Sequence, residues 1–96
     1  MEILFLDSYY GKIYGVINKN YKVCNITLFK IKKHFQNKKH GTRLLQYYIQ
    51  LCKDSNVKHI ELDDMTDNYR KNNNIYIKVG FVYINDDGPE MRLNLI

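Results

Sequence analysis

Long apolar runs are missing from this chain. No stretch approaches the ~20 residues that cross a bilayer, which excludes a helical membrane span and leaves no membrane partner expected. A basic leader is missing too. The opening residues, Met1-Glu2-Ile3-Leu4-Phe5-Leu6-Asp7, are acidic and apolar, so they read as a strand and not as a secretory signal. Cysteine is scarce. Cys24 and Cys52 are the only two and form no CxxC pair. Neither they nor His34, His40 and His59 have metal-ligand spacing, so no metal site is expected. Buried free thiols in a reducing, cytoplasmic compartment fit this usage better than a disulfide. Internal repeats, linkers and low-complexity tails are absent as well.

The most informative absence is that of acid. From Ser8 to Lys53 there is no Asp or Glu, while ten Lys and Arg fall there. From Asp54 onward eight carboxylates stand against five bases. The net charge of +5 therefore hides a basic first half and an acidic second half. A basic half suits a polyanion, whether a nucleotide-type cofactor, nucleic acid or an anionic surface. The plainer alternative is a solvated basic surface.

What remains is a chain of 96 residues, 45% apolar, enough for one domain around one modest core. Glu2 to Tyr9 fits a strand, and Tyr10-Gly11-Lys12 a turn. Ile13 to Ile17 fits a second strand, closed by Asn18-Lys19-Asn20. Val23 to Lys33 fits a third. Short turns make these three consecutive and antiparallel. In the third, Ile26 and Leu28 share one face while Phe29 and Ile31 share the other, so the apolar phase switches between residues 28 and 29. Burial on both faces would allow this, and so would a β-bulge, which resets the alternation and frees backbone groups for a ligand.

Leu44, Leu45, Tyr48, Ile49 and Cys52 then recur at helical spacing, predicting a helix over Thr42 to Ser55 with Asn56 as its left-handed terminator. Val57 to Leu62 reads as a strand, parallel to the third. Asp63 to Asn68 is an acidic loop. Tyr69 to Val79 reads as a second helix, weakened by Asn72-Asn73-Asn74 and ended by Gly80. Phe81 to Ile84, the turn Asn85-Asp86-Asp87-Gly88-Pro89 and Met91 to Ile96 form a closing hairpin. The expected class is α+β, a mixed sheet with two helices in the order βββαβαββ, as one domain over residues 1–96.

The junction Phe35-Gln36-Asn37-Lys38-Lys39-His40-Gly41-Thr42 joins the third strand to the first helix. A helix start leaves backbone N–H groups unpaired at the positive end of the helix dipole. Such a spot suits phosphate. Two lysines and a histidine crowd it without a carboxylate, so it reads as a pyrophosphate cradle.

Order and motifs together resemble the GCN5-related N-acetyltransferase (GNAT) family. Gln36 and Gly41 match the family signature Gln/Arg-x-x-Gly-x-Gly/Ala, with Lys39 standing where glycine is preferred. Tyr76-Ile77-Lys78-Val79-Gly80-Phe81 is similar to the family run at the end of the second helix, and the closing hairpin follows in place. The resemblance implies acetyl-coenzyme A as cofactor and acetyl transfer to a primary amine, on a protein or a small molecule. It implies that the Phe29 to Lys33 backbone, Ile31 included, holds the pantetheine arm beside a splayed strand. It also implies that N–H groups from Lys38 to Thr42, through Lys39, His40 and Gly41, hold the pyrophosphate, with Lys38, Lys39 and Arg43 adding charge. Tyr76 matches the family's general acid, its alternative being a core aromatic. Glu61, Asp63 and Asp64 are candidates for a base, for a water relay or for drawing in a cationic amine, against a plain solvated acidic loop. His34 reads as a surface residue.

Family members carry an extra strand and two helices ahead of these elements, and the chain begins too late for them. An open acceptor site is therefore expected, fit for a lysine on a large protein or completed by a second copy in a homodimer. Two other classes stay open: a degenerate GNAT-fold module that binds without catalysis, and a nucleic-acid-binding module using the acid-free half. The clustering of bases at one strand–helix junction suits a compact anion better than a long backbone track.

Overall fold

β3 (Val23–Ile31) is the strand on which the architecture turns. It pairs antiparallel with β2 (Gly11–Asn18), which pairs antiparallel with β1 (Glu2–Asp7). After a single 3₁₀ turn at Lys33–Phe35 comes α1 (His40–Asp54), then β4 (His59–Asp63), α2 (Ile75–Lys78), β5 (Val82–Tyr83) and β6 (Glu90–Asn94). The six strands form one mixed sheet ordered β1-β2-β3-β4-β6-β5. This is the expected α+β class and element order. The computed structural model describes residues 2–36, 39–66, 70–71 and 74–96.

Both helices pack on one face of the sheet. The α1 stripe of Leu44, Leu45, Tyr48 and Cys52 is buried against Ile13, Ile17, Cys24, Ile60 and Met91. Ile49, on the same expected stripe, is only half-buried. Gly15 lets α1 come this close, since a Cβ there would lie 2.2 Å from the Tyr48 hydroxyl. That hydroxyl donates to the Leu4 carbonyl at 2.9 Å and so ties α1 to β1. Cys24 and Cys52 are buried free thiols beside it. α1 ends on Asn56 with φ of 63°, with Val57 N donating to Cys52 O. This is the left-handed stop that asparagine tolerates.

The phase switch in β3 comes from a bulge. Tyr14 pairs with Leu28 and Gly15 with Ile26, so Thr27 is the extra residue, one position before the expected switch. The Thr27 hydroxyl donates to the Tyr14 carbonyl at 3.2 Å. Ahead of the bulge Cys24 and Ile26 face the helices, and beyond it Phe29 and Ile31 do.

Several boundaries differ from the sequence expectation. β2 begins at Gly11, inside the expected turn, and β3 ends at Ile31, where the 3₁₀ turn takes over. α2 differs most: among the described residues it is a single turn of four, Arg70 and Lys71 ahead of it are not helical, and Tyr69, Asn72 and Asn73 of the expected helix lie outside the described residues. Its N-cap is Asn74, whose side chain accepts from Tyr76 N. An asparagine that is a poor helix former inside a helix is a good cap at its start.

Candidate functional site

β3 and β4 pair in parallel only at Val23, Cys24 and Asn25, opposite His59, Ile60 and Glu61. Beyond these residues β3 continues with β2 as its partner, and β4 continues with β6. The sheet therefore opens into a wedge just where the Thr27 bulge bends β3. On the helix face the wedge leads into a cavity of about 570 Å³. Phe29 and Ile31 line it along β3; Gln36, Lys39, Gly41 and Thr42 close the α1 end; Thr66, Ile75, Tyr76 and Lys78 close the α2 end.

The α1 end is built as a cradle. The first α-helical bond there runs from Arg43 N to Lys39 O at 3.2 Å. The amides of His40, Gly41 and Thr42 precede it and have no intrahelical acceptor by position. Lys39 is the N-cap, with no side-chain cap hydrogen bond, and no acid stands in the first turn. Its φ of 66° lies in the left-handed region, which glycine enters without penalty and lysine does not. That is the physical sense of the glycine preference at this place. At Gly41 an added Cβ would lie 3.1 Å from the Ile75 side chain and 3.3 Å from that of Ile31, so a larger residue fits only if these side chains give by a few tenths of an ångström. Gln36 donates from Nε2 to the Ile31 carbonyl at 3.1 Å, fixing the chain between strand and cradle.

Not every residue expected in the cradle lines it. The His40 ring stacks on Tyr10 at 4.0 Å and meets the edge of Phe35, leaving its backbone as its contribution. Lys33 and Arg43 are exposed and outside the cavity lining. Lys38 lies outside the described residues.

At the opposite end Tyr76 is 7% exposed, between Phe29 and Phe81. Its phenol is pushed up to about 12, first by burial and then by the nearby Asp64 charge. Asp64 is itself buried and accepts from Thr66 N and Oγ1, Asn74 Nδ2 and Tyr83 Oη. Burial alone would push its carboxyl up, but these bonds outweigh it and hold it below the ordinary carboxylate value. Sequence reasoning misses Asn74 and Tyr83 as site residues; an Asn two residues before Tyr76 becomes a capping signal only once the start of α2 is known.

Glu61 and Asp63 stand on the other face of the sheet. With Asn25, Thr27 and Glu90 they line a second groove of about 500 Å³ on the far side of the wedge. Glu61 is taken up by Arg92, whose Nε donates to it at 2.8 Å. Asp63 lies directly across from Glu90 on β6, and like charges so placed repel.

An open parallel pair, a cradle of helix-start amides and a buried tyrosine on a mixed sheet define an acyltransferase-type fold. The sequence profile of the acetyltransferase (GNAT) domain matches residues 2–94, and the chain belongs to that family. Among solved structures it resembles a GNAT-family acetyltransferase from Staphylococcus aureus, with TM-score 0.73, 24% identity, and coverage of 91% of this chain and 60% of that one. It also resembles the ribosomal-protein-S18-alanine N-acetyltransferase of Escherichia coli, with TM-score 0.74, 15% identity, and coverage of 97% and 69%. A Bacillus subtilis acetyltransferase in complex with CoA aligns with TM-score 0.70, 19% identity, and coverage of 94% and 72%. The chain thus spans three fifths of the length of the Staphylococcus protein. No curated protein matches it in sequence. No helix among the described residues is long and apolar enough to cross a membrane.

Proposed function

We propose that this chain binds acetyl-coenzyme A in the β3/β4 wedge and transfers the acetyl group to a primary amine. The observation that carries this is the parting of β3 from β4 after Asn25, with a cavity running from there to the α1 cradle. The residues fit the coenzyme: an apolar strand of Phe29 and Ile31 for the pantetheine arm, then helix-start amides and Lys39 for the diphosphate. When bound, the coenzyme supplies an activated acetyl thioester.

Tyr76 stays protonated at neutral pH, since its phenol is pushed up to about 12. Passing that proton completely to a thiolate of ordinary pKa ~8.5 would be uphill by about 5 kcal/mol. Tyr76 therefore acts as a hydrogen-bond donor to negative charge building on sulfur and not as an equilibrium acid. The amine enters from the acidic groove on the opposite face, where Asp63 and Glu90 attract its cation and Asp63 is the candidate to accept its proton. Glu61, held by Arg92, is the weaker base. The open face suits an amine carried by a protein.

Isothermal titration with acetyl-coenzyme A tests the binding. Saturable heat is expected, and none at millimolar coenzyme would remove the reading. Tyr76→Phe is expected to lower kcat on an amine panel by about a hundredfold with little change in coenzyme affinity. The neutralisation of Glu61 favours one second reading, a module that binds the coenzyme without turnover. Binding with no product on any amine, unaltered by Tyr76→Phe, would select it.

A further inference from the structure

We propose that Asp64 is a positioning residue for Tyr76, setting through Asn74 the direction in which the start of α2 presents its side chain. The role rests on the acetyl-transfer reading of the wedge. Its evidence is the hydrogen-bond pattern behind the cavity.

α2 has four residues. One helical turn does not sustain itself in water, because nucleation costs more than the first bonds return. It must be held from outside, and both backbone groups of Tyr76 are. On the C-terminal side Phe81 N donates to Tyr76 O at 3.0 Å and Gly80 N to Ile77 O at 3.1 Å, with Gly80 at φ 109°. On the N-terminal side Tyr76 N donates to Asn74 Oδ1 at 2.7 Å.

The Asn74 amide has two unlike ends, and only the oxygen end can receive that N–H. The other end decides the matter. Asn74 Nδ2 donates to Asp64 Oδ2 at 2.7 Å and to Thr66 Oγ1 at 3.3 Å. A carboxylate only accepts, so it can face only the NH₂ end. A flipped amide would set Oδ1 against the carboxylate and NH₂ against the Tyr76 N–H, like against like at both contacts. Asp64 thus selects the orientation that caps α2. It is fixed for the task by Thr66 N and Oγ1 at 3.0 and 2.6 Å and by Tyr83 Oη at 2.6 Å, and it is 2% exposed. One buried carboxylate therefore joins the end of β4, the loop after it, the α2 cap and β5. The charge acting on the Tyr76 phenol is that of Asp64; of the cations lining the same cavity, Lys78 belongs to α2 and Lys39 stands at the far, α1 end.

Asp64→Asn tests this, because it keeps the shape and removes both the charge and the one-sided acceptor. Isotope-labelled tyrosine followed by NMR, with Tyr76→Phe to assign the resonance, reads the phenol titration. Acetyl transfer to an amine reads kcat. In Asp64→Asn the Tyr76 titration is expected to move down toward the ordinary phenol range, and kcat to fall about tenfold with KM for acetyl-coenzyme A within about twofold. In the Tyr76→Phe background the same change should cost nothing further. An unchanged titration, or an equal kcat loss with and without the Tyr76 hydroxyl, would overturn the proposal. Should Asp64→Asn fail to fold, Asn74→Ala serves: it must lower kcat only when Tyr76 is present, and wild-type kcat refutes the link. The titration needs no turnover, so failure here is distinguishable from failure of the acetyl-transfer reading, which shows as wild-type chain that binds no coenzyme.

Discussion

At residue 39 the backbone turns left-handed, and the residue doing so is a lysine. Two consequences separate cleanly by substitution. The Cβ of any L-residue other than glycine is crowded there, at a cost of about 1–2 kcal/mol, part of which glycine returns as chain entropy in the unfolded state. Lys39→Gly is therefore expected to stabilise the fold by about 0.5 kcal/mol, raising the thermal midpoint by about 2–4 °C. Lys39→Ala keeps the strain and should leave the midpoint near wild type. Both remove the same ammonium from the α1 end of the cavity, so both should weaken coenzyme binding similarly if that charge meets a phosphate. Circular dichroism melts and titration calorimetry on the pair measure the two effects independently; a midpoint unmoved in Lys39→Gly would mean the surrounding chain relieves the strain. From sequence, Lys39 was legible only as a departure from a glycine pattern. The reason for the pattern is a dihedral angle, and no side-chain chemistry announces one.

Among the elements, those stabilised by their own residues were the legible ones. α1 carries its apolar stripe at 3.6-residue spacing and an asparagine where it stops, so its existence, face and end follow from local order. α2 does not. Its one turn is held by Asn74, Asp64 and the Gly80 stop, partners spread over 17 residues of chain, and only the glycine reads as a signal in isolation. β3 is intermediate. Its phase switch showed that something resets the alternation, but bulge and double burial leave the same residue pattern. The pairing register decides for the bulge, because Thr27 alone has no partner on β2. Removing that residue tests whether the bulge matters. With Thr27 deleted, Leu28 follows Ile26 directly, and strict alternation from Cys24 keeps Phe29 and Ile31 facing the helices. What is lost is the bulge and the bend it puts into β3 at the mouth of the wedge. The deletion is expected to keep a cooperative melt while weakening binding of acetyl-coenzyme A, read by titration calorimetry. Undiminished binding by the folded deletion would show that the bulge does not open the wedge.

On the scale of the whole molecule, the two sides of the wedge carry opposite charge, while Lys12 and Lys30 stand farther off on the sheet face that bears the acidic groove. The helix-side cavity is lined by Lys39 and Lys78, whereas the opposite groove carries Glu61, Asp63 and Glu90. An anionic coenzyme and a cationic amine would thus approach the wedge from opposite sides, each toward complementary charge. What the sequence could not convey is that Asp64, one residue after Asp63, belongs to neither face but to the core. This makes acid stability a test of the assembly around it. Its carboxyl is held below the ordinary value by the bonds it accepts, which prevail over the opposing effect of burial. The unfolded chain, with an ordinary carboxyl near 3.9, takes up the proton more readily than the folded one. The stability Asp64 contributes is therefore fully present above that ordinary value and is lost as pH falls through the lower, folded one. The thermal midpoint of the wild-type chain is expected to hold from neutral pH to about pH 5 and to fall below about pH 4. Asp64→Asn should start lower at neutral pH and decline less in acid, so the two curves converge. Parallel curves would assign the acid sensitivity to the remaining carboxylates, and β4, α2 and β5 would then be joined by packing alone.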